Sequence, residues 1–185
     1  MRIIGGKLKG RKLVDIKKSD ALRPTTDANR ENLFNLIENS KYLDFFDLKN
    51  ADILDCFCGT GAVAIEAISR GAKSATLIDK NRNNLALAQK NAHVLEITNQ
   101  IKFKNLDICK SKIDFGTRYH LIYLDPPYFE GLIDKTLKNL QNCINKNTLI
   151  ILEYHQNQKP TIKENLQQIL LKKYGSVIFE FYKKS

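Results

Sequence analysis

A chain of 185 residues with 43% hydrophobic and 27% charged side chains can bury one continuous core, and its balance is ordinary for a water-soluble globular protein. No apolar run approaches a membrane span, and Met1-Arg2-Ile3-Ile4-Gly5-Gly6-Lys7 lacks the apolar centre of a signal peptide, so a cytoplasmic protein with no membrane partner is expected. The net charge of +10 is concentrated at the start, where Arg2, Lys7, Lys9, Arg11, Lys12, Lys17, Lys18 and Arg23 face only Asp15 and Asp20. Such a block fits a polyanion, most simply nucleic acid, and fits a solvated lysine-rich surface equally well.

Residues 2–14 read as two short strands around Gly5-Gly6, a hairpin-like arm with cations at its polar positions. Leu22-Arg23-Pro24-Thr25-Thr26-Asp27 is a loop ending in N-cap residues, and the helix after it carries Leu33, Phe34 and Ile37 on one face before ending near Asn39-Ser40. One domain is expected over 1–185, with 1–50 as a basic arm and helix docked on a core at 51–185.

Within that core, strand 52–57 leads to helix 61–70, stopped by Gly71. Strand 74–79 leads to helix 82–95, capped by Asn81 and carrying Leu85, Ala88, Ala92 and Leu95. A short strand lies near 100–104, and Tyr119–Leu124 is the next clear one. Helix 132–142 follows, then the near-continuous apolar run Thr148–Glu153, as expected of a strand covered on both faces. The end is different in kind. Ile169–Lys173 and Val177–Tyr182, joined by Tyr174-Gly175-Ser176, predict an antiparallel hairpin with Val177, Phe179 and Phe181 on one face. Alternating strands and helices closed by such a hairpin predict an α/β fold with a mostly parallel sheet.

The chemistry gathers at two loops. Asp55-Cys56-Phe57-Cys58-Gly59-Thr60-Gly61 leaves an apolar strand and opens a helix, the arrangement of a nucleotide-cofactor corner. Asp79, twenty residues after Gly59, ends the next strand where a carboxylate can accept both hydroxyls of a ribose. Gly59-x-Gly61 and Asp79 do not by themselves separate a nicotinamide cofactor from S-adenosylmethionine (SAM). Asp55 does, because SAM carries an ammonium that needs an anionic partner and a dinucleotide has none. Lys80 is placed either to touch the ribose or adenine or to be a solvated loop lysine. Asp107, between Leu106 and Ile108, sits where a carboxylate could accept the adenine amine with Leu106 against the ring, or simply cap a turn.

Asp125-Pro126-Pro127-Tyr128 is the sharpest signal. Two prolines stiffen the loop and remove two N–H donors, leaving the site rich in acceptors. An exocyclic amine on a nucleobase is a poor nucleophile because its lone pair is delocalised. The Asp125 carboxylate and the Pro126 carbonyl could accept its two hydrogens and favour a more tetrahedral nitrogen, while Tyr128 offers a face on which the extruded base stacks. His93, His120 and His155 are not placed for acid–base work, and no role falls to Glu153 at the end of its strand. Cys56, Cys58, Cys109 and Cys143 lack disulfide or zinc-ribbon spacing, so reduced thiols and no metal are expected.

The run Asp55 to Gly61, then Asp79, then Asp125-Pro126-Pro127-Tyr128 resembles the amino-methyltransferase branch of the class I SAM enzymes. Arg2-Ile3-Ile4-Gly5-Gly6, Gly10-Arg11-Lys12-Leu13, Arg23-Pro24-Thr25-Thr26-Asp27 and Arg30-Glu31-Asn32-Leu33-Phe34 narrow the resemblance to the RsmD family. The resemblance covers nearly the whole chain and implies a Rossmann-like, seven-stranded sheet and methylation of a guanine N2 amine in 16S ribosomal RNA of the small subunit. It implies that Asp55, Cys58, Gly59, Gly61, Asp79, Lys80, Leu106 and Asp107 hold SAM. It places Asp125, Pro126 and Tyr128 at the amine. Arg2, Arg11, Lys12, Arg23, Thr25, Thr26 and Pro127 would contact the RNA, with the chain acting as a monomer. Cys58 departs from the small residue expected there. Three other readings remain: a DNA adenine-N6 or cytosine-N4 methyltransferase, which usually needs a further recognition domain; a protein glutamine-N5 methyltransferase, more often with Asn at the first motif position; and a nucleic-acid-binding module without catalysis.

Overall fold

The computed structural model describes residues 1–14, 26–110, 113–127, 131–162 and 165–185. Seven strands form one sheet in the order β3-β2-β1-β4-β5-β7-β6. β1 (Asp52–Asp55), β2 (Ser74–Asp79), β3 (Ile101–Asn105), β4 (Leu121–Leu124) and β5 (Leu149–His155) are parallel. β7 (Val177–Lys184) runs antiparallel between β5 and β6 (Leu166–Tyr174). The chain steps outward from β1 to β3 and then returns to β4 beside β1, so the switch point of the sheet lies between β1 and β4. Ligands of open α/β sheets bind outside the carboxyl ends of the strands at such a point.

β4 and β5 are buried along almost their whole length, which is why they read as apolar runs without alternation. One face of the sheet carries α1 (Asp27–Asn39), α2 (Ala62–Ser69) and α3 (Arg82–Val94) over Ile53, Leu77, Leu121, Ile151, Phe179 and Phe181. The other carries α4 (Leu132–Asn139) over Leu54, Ile78, Ile122, Leu124 and Leu152. Each of these fully buried aliphatic chains contributes about 1.5–3 kcal/mol of transfer free energy.

The boundaries differ from the expected ones for physical reasons. β1 ends at Asp55, because the chain turns through Cys56, whose N–H reaches the Tyr123 carbonyl at 3.1 Å. α4 stops at Asn139 and tightens into a 3-10 turn, Gln141–Cys143. β6 begins three residues earlier than its alternation suggests, because a bulge between Gln168 and Leu170 breaks the period of two.

The expected N-terminal hairpin is reduced to one antiparallel bridge, Arg2 with Lys12, around a 3-10 turn at Gly6–Leu8. The Ile3, Gly10 and Leu13 N–H groups still bond across the arm, but those nearer its tip go to α2. The Ile4 and Gly5 N–H groups donate to the two oxygens of Glu66 on α2 at 2.8 and 2.7 Å, and the Leu8 N–H donates to Ser69 Oγ at 2.9 Å. Gly6, at φ +71°, lies so close to α2 that a Cβ would fall 1.9 Å from the Ser69 carbonyl oxygen. This docking explains α2, all eight of whose residues are buried: one side meets the sheet and the other the arm. Arg30 of α1, fully buried, donates to the Arg2 carbonyl and to Asp27 Oδ1 and ties the helix to the arm.

Candidate active site

The carboxyl ends of β2, β1, β4 and β5 bring four acids to one edge: Asp79, Asp55, Asp125 and Glu153. Asp55 pairs in register with Tyr123, and Tyr123 with Ile151. The β4–β5 register runs from Leu121 beside Leu149 to Leu124 beside Leu152; Asp125 and Glu153 are the residues that follow this last pair, and the charges of both act on Tyr123. Adjacent strands lie about 4.8 Å apart, so these two carboxylates leave the sheet as neighbours.

Asp55 is only 2% exposed, and its Oδ1 has no hydrogen-bond partner among the described residues. Burial, then the charge of Asp79, push its carboxyl up to about 7; N–H groups of Phe57 and Ala64 pull it down, and Glu153 adds a smaller upward push. Tyr123, buried beside it, donates its hydroxyl to Glu153 Oε2. Burial first, then the negative charges of Glu153 and Asp125, hold the Tyr123 phenol well above its ordinary value, so it stays a donor. The main charges acting on these two groups among the described residues are negative. An orphaned, buried anionic oxygen in such surroundings fits a ligand bearing an ammonium.

The loop after β1 is fixed by backbone bonds: Cys58 N–H to the Ile78 carbonyl (2.9 Å) and Gly61 N–H to the Cys58 carbonyl (2.7 Å). Gly61, at φ +77°, is required for packing, since a Cβ there would lie 2.9 Å from Leu77 and 3.1 Å from Ala88. The glycine therefore serves the contact of the loop with β2 and α3. Asp79 accepts from the Gly59 N–H at 3.0 Å and from Asn84 at 3.0 Å through one oxygen, and from the Asn81 N–H at 2.8 Å through the other. A carboxylate offers about four acceptor positions, so Asp79 holds the loop with three and keeps about one for the ribose.

The other expected cofactor residues divide. The Cys58 thiol is buried in the core cluster beneath the loop, where burial raises its pKa strongly. Lys80 is exposed and its carbonyl accepts from Asn105. Asp107 Oδ1 accepts from the Cys109 N–H at 3.1 Å, the turn cap that the sequence left open, with Lys110 3.6 Å from its other oxygen. Leu106 is half-buried beside it and packs on the α4-side cluster. Pro126 is half-buried and Pro127 exposed. Tyr128, Arg23 and Thr25 lie outside the described residues.

Among the residues expected at RNA, Arg2 is largely exposed and 3.7 Å from Asp27, and Lys12 is exposed. Arg11 is exposed but donates to the Val94 carbonyl at the end of α3, at 3.1 Å. Thr26 caps α1, accepting the Asn29 N–H at 3.2 Å. Sequence reasoning missed two connections. Asn91, 1% exposed, donates to the Thr60 carbonyl at 3.0 Å and accepts the Val14 N–H at 2.7 Å, joining the arm to the cofactor loop. The Tyr123–Glu153 pair was the other; an acid closing an otherwise apolar strand was its one visible sign. His120 lies at the opposite edge of the sheet, where its Nδ1 accepts the Asp52 N–H.

The sequence model of the family described as conserved hypothetical protein 95 matches residues 1–183. Ribosomal RNA small subunit methyltransferase D of Buchnera aphidicola subsp. Acyrthosiphon pisum is 38% identical, over 88% of this chain and 82% of its own. The protein of that name from Escherichia coli K12 is 34% identical, over 100% of this chain and 90% of its own. The solved structure of yhhF from Escherichia coli superposes with a TM-score of 0.81 at 31% identity, over 100% of this chain and 98% of that one. A methyltransferase sheet with its acid-lined switch point and a family model spanning almost every residue agree: the chain belongs to the conserved hypothetical protein 95 family, the RsmD family that its motifs resemble.

Proposed function

We propose that this protein methylates the exocyclic N2 amine of a guanine in small-subunit ribosomal RNA, in the cytoplasm, using SAM. The observation that carries the reading is the buried Oδ1 of Asp55, without a partner among the described residues, at an edge it shares with Asp125-Pro126. When bound, SAM supplies a methyl group activated by a positive sulfonium. The relatives named ribosomal RNA small subunit methyltransferase D support the substrate class.

On this reading Asp55 takes the ammonium and Asp79 a ribose hydroxyl, and Leu106 and Asp107 flank the adenine. Asp125 and the Pro126 carbonyl accept the two hydrogens of the guanine amine and aim its lone pair along the line of displacement. The amine nitrogen would take the methyl group from the sulfonium, leaving S-adenosylhomocysteine, and the surplus proton of the amine would pass to Asp125 or water. Nothing else in the step needs an acid or base, so holding the two partners in line is most of the catalysis. Arg2, Lys12 and neighbouring lysines of the arm contact phosphates. Asp125→Ala tests the assignment: cofactor affinity by calorimetry should stay within a few-fold while methyl transfer is abolished, whereas equal loss of both would make Asp125 a cofactor or folding residue.

A further inference from the structure

An amine-methylating site of the Asp-Pro-Pro type does not by itself distinguish one nucleobase amine from another, since each offers two hydrogens to the same two acceptors. The difference lies one atom away. The amines of adenine and cytosine have no ring N–H beside them, only an unprotonated ring nitrogen, whereas the guanine N2 amine sits between N3, an acceptor, and N1–H, a donor. A site selecting guanine needs a further acceptor next to the one holding the amine.

The ends of β4 and β5 supply one: Asp125 and Glu153 each follow the last registered pair, Leu124 with Leu152, and both charges act on Tyr123. We propose that Glu153 is the residue that selects guanine, its carboxylate accepting the N1–H while Asp125 and Pro126 hold the N2 amine; this rests on the guanine-N2 reading above. Three observations converge. Glu153 is 6% exposed, so a hydrogen bond it makes there is largely shielded from competing water. Tyr123 donates its hydroxyl to Oε2, orienting the carboxylate without exhausting its roughly four acceptor positions. Glu153 and Asp125 both act on the Tyr123 phenol, and Glu153 adds a smaller upward push on Asp55, so the three carboxylates lie around one tyrosine at the carboxyl edge of the sheet. Adenine or cytosine in the same pose would set an acceptor against Glu153.

The test uses the full-length protein on small subunits reconstituted with ribosomal RNA carrying either guanine or 2-aminopurine at the target position. 2-Aminopurine keeps the N2 amine and replaces N1–H by an acceptor. Wild type should prefer guanine by about 10⁴-fold in kcat/KM, the penalty for leaving a buried polar partner unmatched. Glu153→Gln, which can turn an amide donor towards the acceptor, should lose most guanine activity, gain on 2-aminopurine and erase the preference, with S-adenosylhomocysteine affinity within a few-fold of wild type. Comparable rates on both bases by wild type, or a variant that slows on both with its preference intact, would overturn the assignment. If wild type methylates no guanine at all while binding the cofactor, the reaction proposed above fails too, and the two failures are told apart by that control.

Discussion

Asp55 should make the unliganded protein less stable as the pH rises, and removing its charge should reverse this. Its carboxyl stands at about 7 in the fold against 3.8 for the free group. Between these values the unfolded chain has released the proton and the folded one retains it, so stability falls by about 1.4 kcal/mol per pH unit. Above 7 both states are ionised and the loss is complete, at roughly 4 kcal/mol as an upper bound. Asp55→Asn preserves the shape and the acceptor for the Phe57 and Ala64 N–H groups but cannot ionise. At pH 8 it should melt higher than wild type by roughly 10 °C, given about 2–4 °C per kcal/mol for a chain of this size. At pH 4 the two should melt together. Affinity for S-adenosylhomocysteine should move the opposite way: in wild type it strengthens up to tenfold per unit as the pH rises towards 7, then levels, and in Asp55→Asn it is weak and flat. Thermal unfolding and calorimetry across this range decide the matter. A variant that melts lower than wild type at pH 8, or one that binds the cofactor normally, would refute the reasoning that the fold strains Asp55 for an ammonium.

Further expectations concern the arm. Asn91→Ala strips partners from the Thr60 carbonyl and the Val14 N–H, each costing about 1–3 kcal/mol when buried, and should weaken both stability and cofactor affinity; unchanged cofactor binding would uncouple arm and loop. Gly6→Ala puts a methyl group against the Ser69 carbonyl at a positive φ and should destabilise by at least about 2 kcal/mol in thermal melts; a neutral effect would mean that the arm is not seated on α2. Charge reversal at Arg2 and Lys12 should weaken RNA binding and flatten its salt dependence by about one unit of slope for each phosphate no longer neutralised. Arg11→Gln should mainly loosen the end of α3, visible as faster amide exchange there with little change in that slope.

The parts legible in the sequence are those written in local pattern. Apolar runs placed β1, β2, β4 and β5, and Asp55, Gly59, Gly61 and Asp125-Pro126-Pro127 stood out because strand ends, turns and acceptor-rich loops demand particular residue types at short spacing. What was illegible depends on partners far along the chain. The arm looked like a hairpin because its cations alternate, yet Glu66, more than sixty residues away, takes the N–H groups a partner strand would have used. Two polar residues, Glu66 and Ser69, in the otherwise apolar Ala62–Ser69 were the trace. Glu153 could be seen at a strand end but gained meaning only from the β4–β5 register, which no local spacing encodes. Gly61 belongs to the loop as its spacing suggested, and its missing side chain makes room for Leu77 and Ala88.

The most direct measurement is incubation with tritiated SAM and small ribosomal subunits from cells lacking their own guanine-N2 activity, with free ribosomal RNA and genomic DNA in parallel and nucleoside analysis of the labelled product. Label recovered as N2-methylguanosine from the subunit or its RNA is the predicted result. Label on DNA adenine or cytosine, or none on any nucleic acid despite cofactor binding, would contradict it.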